Sequence, residues 1–408
     1  MMRLLRKLLP RSVLRAYHFA FAYVAACRYG FPSRRLMVIG ITGTHGKSSA
    51  VMLLGHTLRN LGVTVGWTST ATFSLGDGEE LNALKMTMPG RFAIQRMLRG
   101  MVDRGCTHAI VETTSEGIVQ HRSAGIAYDV AVLMNLATEH VEAHGGFAQY
   151  RAAKARLFAQ TARVSGKRRV AVVPADLEHP EEFTAHPFRE VRTFRAEDVH
   201  GVPFAPVVHA FPENAAAVLV LGEVLGFPRS DAVTALQKIA ALPGRLEMLE
   251  EGQPFVVIVD YAHTPHAIDA LYQTLAPVSG CTFHVLGGVG GGRDRWKRPA
   301  MGERAAAHAD VVIVTNEDPY DDDPMEIMEA VAAGARAWCV AHPSGILEER
   351  VRIIPDRRSA FAAVLAEARA GDRVLVTGKG CEQAIVGPGG RKIVWDDRVV
   401  LRELLRSA

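Results

Sequence analysis

The chain has 408 residues, of which 48% are hydrophobic and 22% are charged, so its composition excludes a disordered or collagenous protein. Its length predicts two or three domains. The formal net charge of +4 is unevenly distributed, because the first acidic residue is Asp77 and ten lysines and arginines precede it.

The cysteines indicate a compartment rather than a site. Five are present without a CxxC pair, so neither a disulfide framework nor a zinc ribbon is indicated. We therefore expect a cytoplasmic protein with reduced thiols.

Residues 1–35 form a basic segment before the first domain. In Met1–Arg15, arginine and lysine alternate with leucine, which is typical of a basic amphipathic helix. Such a helix lies either on an anionic membrane surface, as a peripheral contact, or on its own domain with the basic face in water. The uncharged stretch Ala16–Cys27 is too short to span a bilayer, so we expect no transmembrane helix. Nucleic-acid binding is disfavoured, because no stacking aromatics are interleaved with these basic residues.

A phosphate-binding loop follows the first apolar run, Arg35–Thr42. The periodic stretch Ala50–Leu61 comes after the loop, and this order predicts strand, glycine loop and helix. Glycines let backbone N–H groups surround phosphate oxygens, while a lysine reaches the β- and γ-phosphates and a serine ligates Mg²⁺. We expect a nucleoside triphosphate at Gly43, Thr44, His45, Gly46, Lys47, Ser48 and Ser49.

The sequence GITGTHGKSS, from Gly40 to Ser49, resembles the GTxGK[ST] nucleotide loop of the Mur ligase superfamily. Further matches follow in the family's order from Leu36 to Arg398. The resemblance implies an ATP-dependent enzyme that adds an amino acid to the peptidoglycan stem peptide. Folylpolyglutamate synthase is a more distant member of the same superfamily.

Three more segments resemble the family's metal site. Glu112 matches the glutamate of the ExSS segment, which ligates Mg²⁺, and His140 matches the metal contact of the segment NLxxDHLDxHG. Lys154 matches the lysine of YxxAKxxLF, which is carbamylated in the family. The resemblance implies two ions held by Ser48, Glu112, His140 and Lys154, with Lys47 also catalytic. A zinc-protease motif at His140 is disfavoured, because its glutamate comes one place late.

The acceptor peptide is also expected in this domain. Thr87 lies where the family has its TTP segment, which contacts the muramoyl substrate, although a simple Pro-Gly turn is the alternative. Ser115, in the ExSS match, is a second candidate contact.

Beyond Leu242, apolar runs alternate with helical stretches, which predicts a doubly wound, Rossmann-like domain. The runs are FVVIVD, TFHVLG, DVVIVT, VRIIP and RVLVTG. We expect an α/β fold with a P-loop central domain, containing a mostly parallel sheet, over 36–242 and a Rossmann-like domain over 243–408. The family motifs imply nucleotide contacts at Asn214, Arg245, Asp260 and His263.

The amino-acid substrate is expected at the second domain. Arg293 matches an arginine that can hold its α-carboxylate, and Gly378 and Glu382 match the family's GKGHE. Asp318 and Tyr320 lie where members that add meso-diaminopimelate read DNPR, whose arginine binds the second carboxylate. Tyrosine cannot do so, and the carboxylates of 321–323 would favour a side chain that ends in an ammonium, such as lysine or ornithine. A solvated turn before a helix is the other interpretation of 321–323.

Together these matches imply an ATP- and Mg²⁺-dependent amide ligase that adds L-lysine, meso-diaminopimelate or a similar diamino acid to a UDP-MurNAc-dipeptide through an acyl phosphate. Its partners would be the muramoyl peptide and the amino acid. Only 42 residues precede Gly43, so the family's uridine-binding domain has no visible counterpart. The alternatives are a same-fold ligase with a folate-like or lipid-linked acceptor and a nucleotide-binding accessory subunit.

Overall fold

The computed structural model describes residues 11–137, 145–292, 295–343, 345 and 347–407. Three sequence predictions lie outside this part of the chain: most of the basic segment before Arg11, the metal contact at His140 and the carboxylate contact at Arg293. The described residues form two compact units, of which one ends at Ala240 and the other begins at Ala241.

The first unit alternates strands with helices. In its described part the elements are α1 (Arg11–Arg28), β1 (Met37–Thr42), α2 (Lys47–Asn60), β2 (Val65–Thr68), β3 (Thr72–Ser74), β4 (Glu80–Leu81), α3 (Arg91–Asp103), β5 (His108–Glu112), α4 (Ser115–Val119), β6 (Val130–Leu133), α5 (Phe147–Arg163), β7 (Val170–Pro174), α6 (Glu181–Thr184), β8 (Glu190–Phe194), α7 (Pro206–His209), α8 (Pro212–Leu225) and α9 (Arg229–Gln237).

The strands of this unit form one sheet in the order β4-β3-β2-β5-β1-β6-β7-β8. From β2 to β8 the pairs are parallel, whereas β3 and β4 extend the edge as antiparallel strands. Strand β1 is apolar and almost wholly buried, as a central strand covered on both faces must be. Its neighbours are β5 and β6, so the loops that follow these three strands meet at one edge of the sheet.

The second unit has its own sheet and helices. Its described elements are β9 (Glu247–Leu249), β10 (Val256–Val259), α10 (Pro265–Thr274), β11 (Thr282–Leu286), α11 (Lys297–His308), β12 (Val311–Val314), α12 (Pro324–Ala341), β13 (Val351–Ile353), α13 (Arg357–Glu367), β14 (Arg373–Val376), β15 (Ala384–Val386), β16 (Lys392–Val394) and α14 (Asp397–Ser407).

The main sheet of the second unit has the order β13-β12-β11-β14-β10-β9, and only β9 runs antiparallel to its neighbour. Apolar side chains pack on both of its faces: Ile258 of β10 joins one core with α10 to α12, and Val257 and Val259 join the other with α13 and α14. The five predicted strands are all present, and the predicted α/β fold with two mostly parallel sheets is confirmed. The short strands β9, β15 and β16 were not predicted.

Helix α1 packs against α3 in the first unit. Small side chains on its inner face, those of Ala22, Ala25 and Ala26, are buried. Within the part of the chain that the structure describes, no helix is both long enough and apolar enough to cross a membrane.

Candidate functional site

The glycine loop lies between β1 and the first turn of α2. Gly46 precedes the helix with a φ of 73°, in the left-handed region that favours glycine. A Cβ at Gly46 would lie 2.7 Å from the Asn214 Oδ1 atom, at the start of α8, so a larger residue would force that side chain to move. The N-terminus of α2 directs backbone N–H groups and the positive end of the helix dipole towards this edge, which suits a phosphate.

Asn135, which follows β6, fastens the loop. Its Oδ1 atom accepts hydrogen bonds from the backbone N–H groups of Thr44 at 3.0 Å and His45 at 2.8 Å. Its Nδ2 atom donates to the His45 carbonyl at 3.2 Å. The sequence analysis did not include Asn135 among the site residues, although its position in the NLxxDHLDxHG match was a signal for it.

A second group of hydrogen bonds converges on the Glu112 carboxylate, at the end of β5. Ser48, in the first turn of α2, donates from Oγ to Glu112 Oε2 at 2.8 Å. The backbone N–H of Thr70 donates to the same oxygen at 2.8 Å. The Thr70 hydroxyl donates to the Thr87 hydroxyl at 2.8 Å, so a continuous set of contacts joins the glycine loop to the predicted acceptor segment. Thr70 was missed, because no motif of the sequence includes it.

Two lysines lie against the carbonyl groups of the loop. Lys47 Nζ donates to the Thr44 carbonyl at 2.8 Å, and Lys154 Nζ donates to the Gly43 carbonyl at 2.7 Å. Lys154 is fully buried, and its Nζ lies 4.3 Å from the centre of the Tyr150 ring. Burial of an ammonium group costs free energy, so the charged form of this lysine carries such a cost at this position.

The donor set around Ser48 and Glu112 fits Mg²⁺. Both are hard oxygen donors, both are buried, and their oxygens are 2.8 Å apart. Among the residues that the structure describes, no three histidine, cysteine, aspartate or glutamate side chains gather as a metal site. His140 is not among those residues, so the predicted second ion has only Glu112 and Lys154 of its predicted ligands in the described part of the chain.

The first unit thus brings most of its predicted site residues to one edge of the sheet. Ser49 is buried in the first turn of α2, and Ser115 is buried at the start of α4, three residues beyond Glu112. Asn214 Nδ2 donates to the Gly46 carbonyl at 3.2 Å. The loop residues, Glu112, Thr87, Lys154 and Asn214 are therefore connected by contacts within this unit.

In the second unit, residues that the sequence predicts to bind the amino-acid substrate surround a buried lysine. Lys379 Nζ lies 3.1 Å from Asp318 Oδ1 and 3.0 Å from Glu382 Oε2. Asp318 Oδ1 also accepts from the Val386 N–H at 2.8 Å, and the Tyr320 N–H donates to the Val386 carbonyl at 3.0 Å. Asp318 therefore has a structural task, which is to join β15 to the buried lysine.

Glu317 is the most perturbed acid of this cluster. Burial raises the pKa of its carboxyl group to about 7, and the nearby Lys379 and Arg357 only partly offset this effect. Its Oε2 atom is buried without a hydrogen-bond partner among the described residues. A Cβ at Gly378, whose φ is 106°, would lie 2.5 Å from that oxygen, so Gly378 is required by close approach as well as by its backbone conformation.

Backbone N–H groups hold the carboxylate of Asp260, the residue that follows β10. Asp260 accepts from the N–H groups of Ala262 at 2.7 Å and Leu246 at 2.9 Å, and burial raises its pKa. Burial lowers the pKa of His263 to about 4, so its imidazole is neutral at pH 7. The Arg245 guanidinium lies 4.2 Å from the Tyr261 ring, and the Tyr261 hydroxyl donates to Glu382 at 3.4 Å. In this unit, the residues predicted to contact the nucleotide therefore lie next to those predicted to bind the amino-acid substrate.

The three aspartates after Tyr320 form a turn and a helix cap. Asp323 accepts from the Met325 N–H at 2.8 Å and caps α12. Asp321 accepts from the Gly389 N–H at 2.6 Å, and Asp322 pairs with Arg298 at 2.9 Å. The structure favours the turn interpretation of this stretch and removes it as an argument for an ammonium-binding pocket.

The chain resembles known proteins over nearly its whole length. Residues 41–214 match the Mur ligase middle domain, and residues 244–380 match the Mur ligase glutamate ligase domain. The UDP-N-acetylmuramyl-tripeptide synthetase of Roseiflexus sp. (strain RS-1) is 36% identical over 95% of this chain and 82% of that protein. The chain belongs to the Mur ligase family. This Mur ligase is therefore an ATP-dependent ligase that forms amide bonds.

Solved structures of other proteins share the fold of this Mur ligase. A structure of a UDP-N-acetylmuramoyl-L-alanyl-D-glutamate–2,6-diaminopimelate ligase is 27% identical, with a TM-score of 0.54 over 91% of this chain and 78% of that one. A Mycobacterium tuberculosis folylpolyglutamate synthase, complexed with ADP and AMPPCP, has a TM-score of 0.65 over 88% of this chain and 92% of that one. Since its sequence identity is only 19%, it shows a shared fold alone.

Replacement of Asn135 with alanine should weaken nucleotide binding. The loop would lose the three hydrogen bonds of this side chain, and we expect the Kd for ATP, measured by calorimetry, to rise about tenfold or more. Asn60→Ala is the matched control, because Asn60 also donates to a backbone carbonyl, that of Ala235, but lies away from the loop. Equal affinities for both variants would contradict the fastening role of Asn135.

Replacement of Glu317 with glutamine should change how stability depends on pH. Its folded-state pKa of about 7 lies above that of an unfolded glutamate, so its stabilising protonated form is lost as the pH rises through about 7. We expect the free energy of unfolding of the wild type to fall relative to Glu317→Gln between about pH 4.5 and pH 7, by up to about 1.4 kcal/mol per pH unit, and to level off above about pH 8.

Urea unfolding, followed by tryptophan fluorescence, measures this difference, because three of the four tryptophans lie in the second unit. Glu329→Gln, at an exposed position on α12, is the control and should follow the wild type. Parallel curves for the wild type and Glu317→Gln would show that this carboxyl group does not titrate in the range.

Proposed function

We propose that this Mur ligase adds a diamino acid, such as L-lysine or meso-diaminopimelate, to a UDP-MurNAc-dipeptide during the synthesis of peptidoglycan precursors. The carboxylate of the dipeptide attacks the γ-phosphate of ATP, which gives an acyl phosphate and ADP. The free amine of the incoming amino acid then displaces phosphate and forms the amide bond. Names of relatives support the substrate class, since they include tripeptide synthetases and diaminopimelate ligases.

One observation carries the proposal. The Glu112 carboxylate accepts from Ser48 of the nucleotide loop and from Thr70, and Thr70 in turn contacts Thr87 of the predicted muramoyl segment. A single buried group therefore connects the place where ATP would be bound with the place where the acceptor carboxylate would be held. An amide ligase needs this proximity, because the carboxylate must reach the γ-phosphate in line.

Residues in and around the loop have separate tasks in this reaction. The N-terminus of α2 and Lys47 hold the phosphates, and Asn135 keeps the loop in the shape that binds them. Ser48 and Glu112 would hold Mg²⁺, which neutralises charge on the phosphates when it is bound. Thr70 and Thr87 orient the acceptor peptide, and Ser115 assists them.

We further propose that Lys154 is carbamylated and that a second ion is held by this group together with Glu112 and His140. The support is the burial of Lys154 beside the Gly43 carbonyl, where an ammonium group is costly. A carbamate would convert the cation into an oxygen donor that suits a divalent ion.

In the second unit, Glu382, Gly378 and the buried Lys379 define the amino-acid site, together with Arg293 for the α-carboxylate. Asp260, His263 and Arg245 form the adjacent nucleotide contacts. Tyr320 supplies no cation for a second carboxylate, and Lys379 is already paired with Asp318 and Glu382. This favours lysine or ornithine over meso-diaminopimelate as the amino acid added.

The reaction is tested with the pure full-length chain, ATP, Mg²⁺ and UDP-MurNAc-dipeptide, and with lysine, ornithine and meso-diaminopimelate offered separately. We expect phosphate release and a matching increase in the mass of the acceptor with lysine or ornithine. Lys47→Ala should lose turnover while its circular dichroism stays that of the wild type. Product with meso-diaminopimelate alone would refute the role of Tyr320, and turnover by Lys47→Ala would refute the assignment of the loop.

Carbamylation is tested by adding ¹³C-bicarbonate and recording the carbamate carbon by NMR. We expect a signal in the wild type that is absent in Lys154→Arg, because arginine keeps the charge but does not form the carbamate. Turnover should be lost in this variant as well. Lys167→Arg is the control, since Lys167 is paired with Asp129 at 2.8 Å. A wild-type spectrum without the signal, in a preparation that turns over, would exclude the modification.

A further inference from the structure

Helix α1 exposes large apolar side chains, whereas the described side chains that it buries are those of Ala22, Ala25 and Ala26. Tyr17, Phe19, Phe21, Tyr23 and Val24 are each between 40% and 55% exposed. From Ala16 to Cys27 the helix has no charged residue. An amphipathic helix of a soluble protein has the opposite arrangement, with its large apolar residues turned inwards.

Packing fixes this orientation. Gly125 faces the helix with a φ of 81°, and a Cβ at this glycine would lie 3.0 Å from the Ala26 Cβ and 3.2 Å from the Ala22 carbonyl oxygen. The helix backbone approaches so closely only because alanines line its inner face. Rotation of the helix about its axis would place an aromatic ring where this contact allows no more than a methyl group.

The exposed surface continues beyond the helix. The Phe21 ring lies 6.2 Å from that of Phe92, the second residue of α3, and Phe92 is itself 40% exposed. The Phe19 ring lies 5.7 Å from the His121 ring, next to the exposed Val119. We call the side chains of Tyr17, Phe19, Phe21, Tyr23, Val24 and Phe92 the aromatic patch.

The charge around the patch indicates what covers it. No acidic residue precedes Asp77 in the sequence, and Arg28, in the last turn of α1, is exposed. A second copy of the chain would bring these like charges together across a two-fold axis, which is unfavourable. A bilayer surface with anionic lipids complements them, and tyrosine and phenylalanine are suited to its interface.

We propose that the aromatic patch docks on an anionic lipid surface, with α1 lying in the plane of the interface. This inference is independent of the ligase reaction. The sequence analysis expected a peripheral membrane contact for Met1–Arg15, and the present proposal assigns such a contact to the helix Arg11–Arg28. Here the exposed apolar side chains of α1 enter the interface, and Arg28 in its last turn contacts the lipid headgroups.

Docking of the aromatic patch would also affect the surroundings of the predicted muramoyl-substrate segment. A cavity of about 650 Å³ lies beside it, lined by Leu14 and His18 of α1 and by Met86, Gly90 and Arg122. Its wall therefore includes Met86 and Gly90, the two residues that bracket the segment of the predicted acceptor contact, Thr87. Docking would hold this cavity next to the bilayer.

Sedimentation of the full-length chain with vesicles tests the proposal. We expect binding to vesicles of phosphatidylcholine and phosphatidylglycerol in equal parts, weaker binding to phosphatidylcholine alone, and a decrease with added salt. The double variant Phe19→Ser, Phe21→Ser should lower the partition coefficient about tenfold or more, because two buried rings are lost from the interface.

The matched control is Val340→Ser, Val394→Ser, which removes exposed apolar side chains from the second unit and should bind as the wild type does. Thermal melts should be alike for all three proteins, since every changed side chain is exposed. Ligase turnover without vesicles should also be unchanged in both variants, so failure of docking and failure of the reaction are distinguishable.

Absence of vesicle binding by the wild type, or equal binding by the patch variant, would overturn the proposal. So would a dimer in analytical ultracentrifugation that forms without lipid and that Phe19→Ser, Phe21→Ser abolishes, since the patch would then be an interface between copies.

Discussion

The buried carboxylate of Glu112 is the constraint on which the first unit's site depends. It lies at the end of a strand that is covered on both faces, and the parallel register pairs it with Ile41, one residue before the end of β1. The helix that leaves β1 therefore begins beside it, and Ser48 reaches it within the first turn. A buried carboxylate must be satisfied by donors, and the donors it recruits, Ser48 and Thr70, are the residues that define the two sides of the site.

In the second unit, the buried charge that must be compensated is a cation rather than a carboxylate. Lys379 is fully buried, and two carboxylates compensate its charge. Glu317 is a third acid in the same place, and burial raises its pKa towards neutrality because Lys379 and Arg357 offset that effect only in part. Arg357, paired with Asp397 at 2.7 Å, supplies a further buried cation at the ends of β12 and β14. The result is a rigid set of charges whose net value is set by one titratable group.

The sequence predicted the parts of this molecule that depend on local patterns. Runs such as FVVIVD are apolar because strands buried on both faces must be, so their positions follow from composition alone. Glycine, lysine and serine at fixed spacing similarly indicated the loop. Other features depend on contacts between distant segments, which no local pattern encodes. They are the hydrogen bonds of Asn135 to the loop, the contacts of Thr70 with Glu112 and Thr87, and the raised pKa of Glu317. Helix α1 shows the same limit: the sequence predicted an amphipathic helix over Met1–Arg15, whereas α1 spans Arg11–Arg28. Which of its faces is buried is decided by Gly125, almost one hundred residues away.

The contacts that close the glycine loop also set the order in which the site is completed during synthesis. Asn135, Lys154 and Asn214 reach back to the loop across 90, 111 and 168 residues of sequence, respectively. A nascent chain that has emerged only as far as α5 carries the glycines, the lysine and the serine, yet it still lacks the side chain that occupies the space beside Gly46. The contacts around the glycine loop are thus among the last that the first unit acquires, and a ribosome-bound chain would complete them only after α8 has been made.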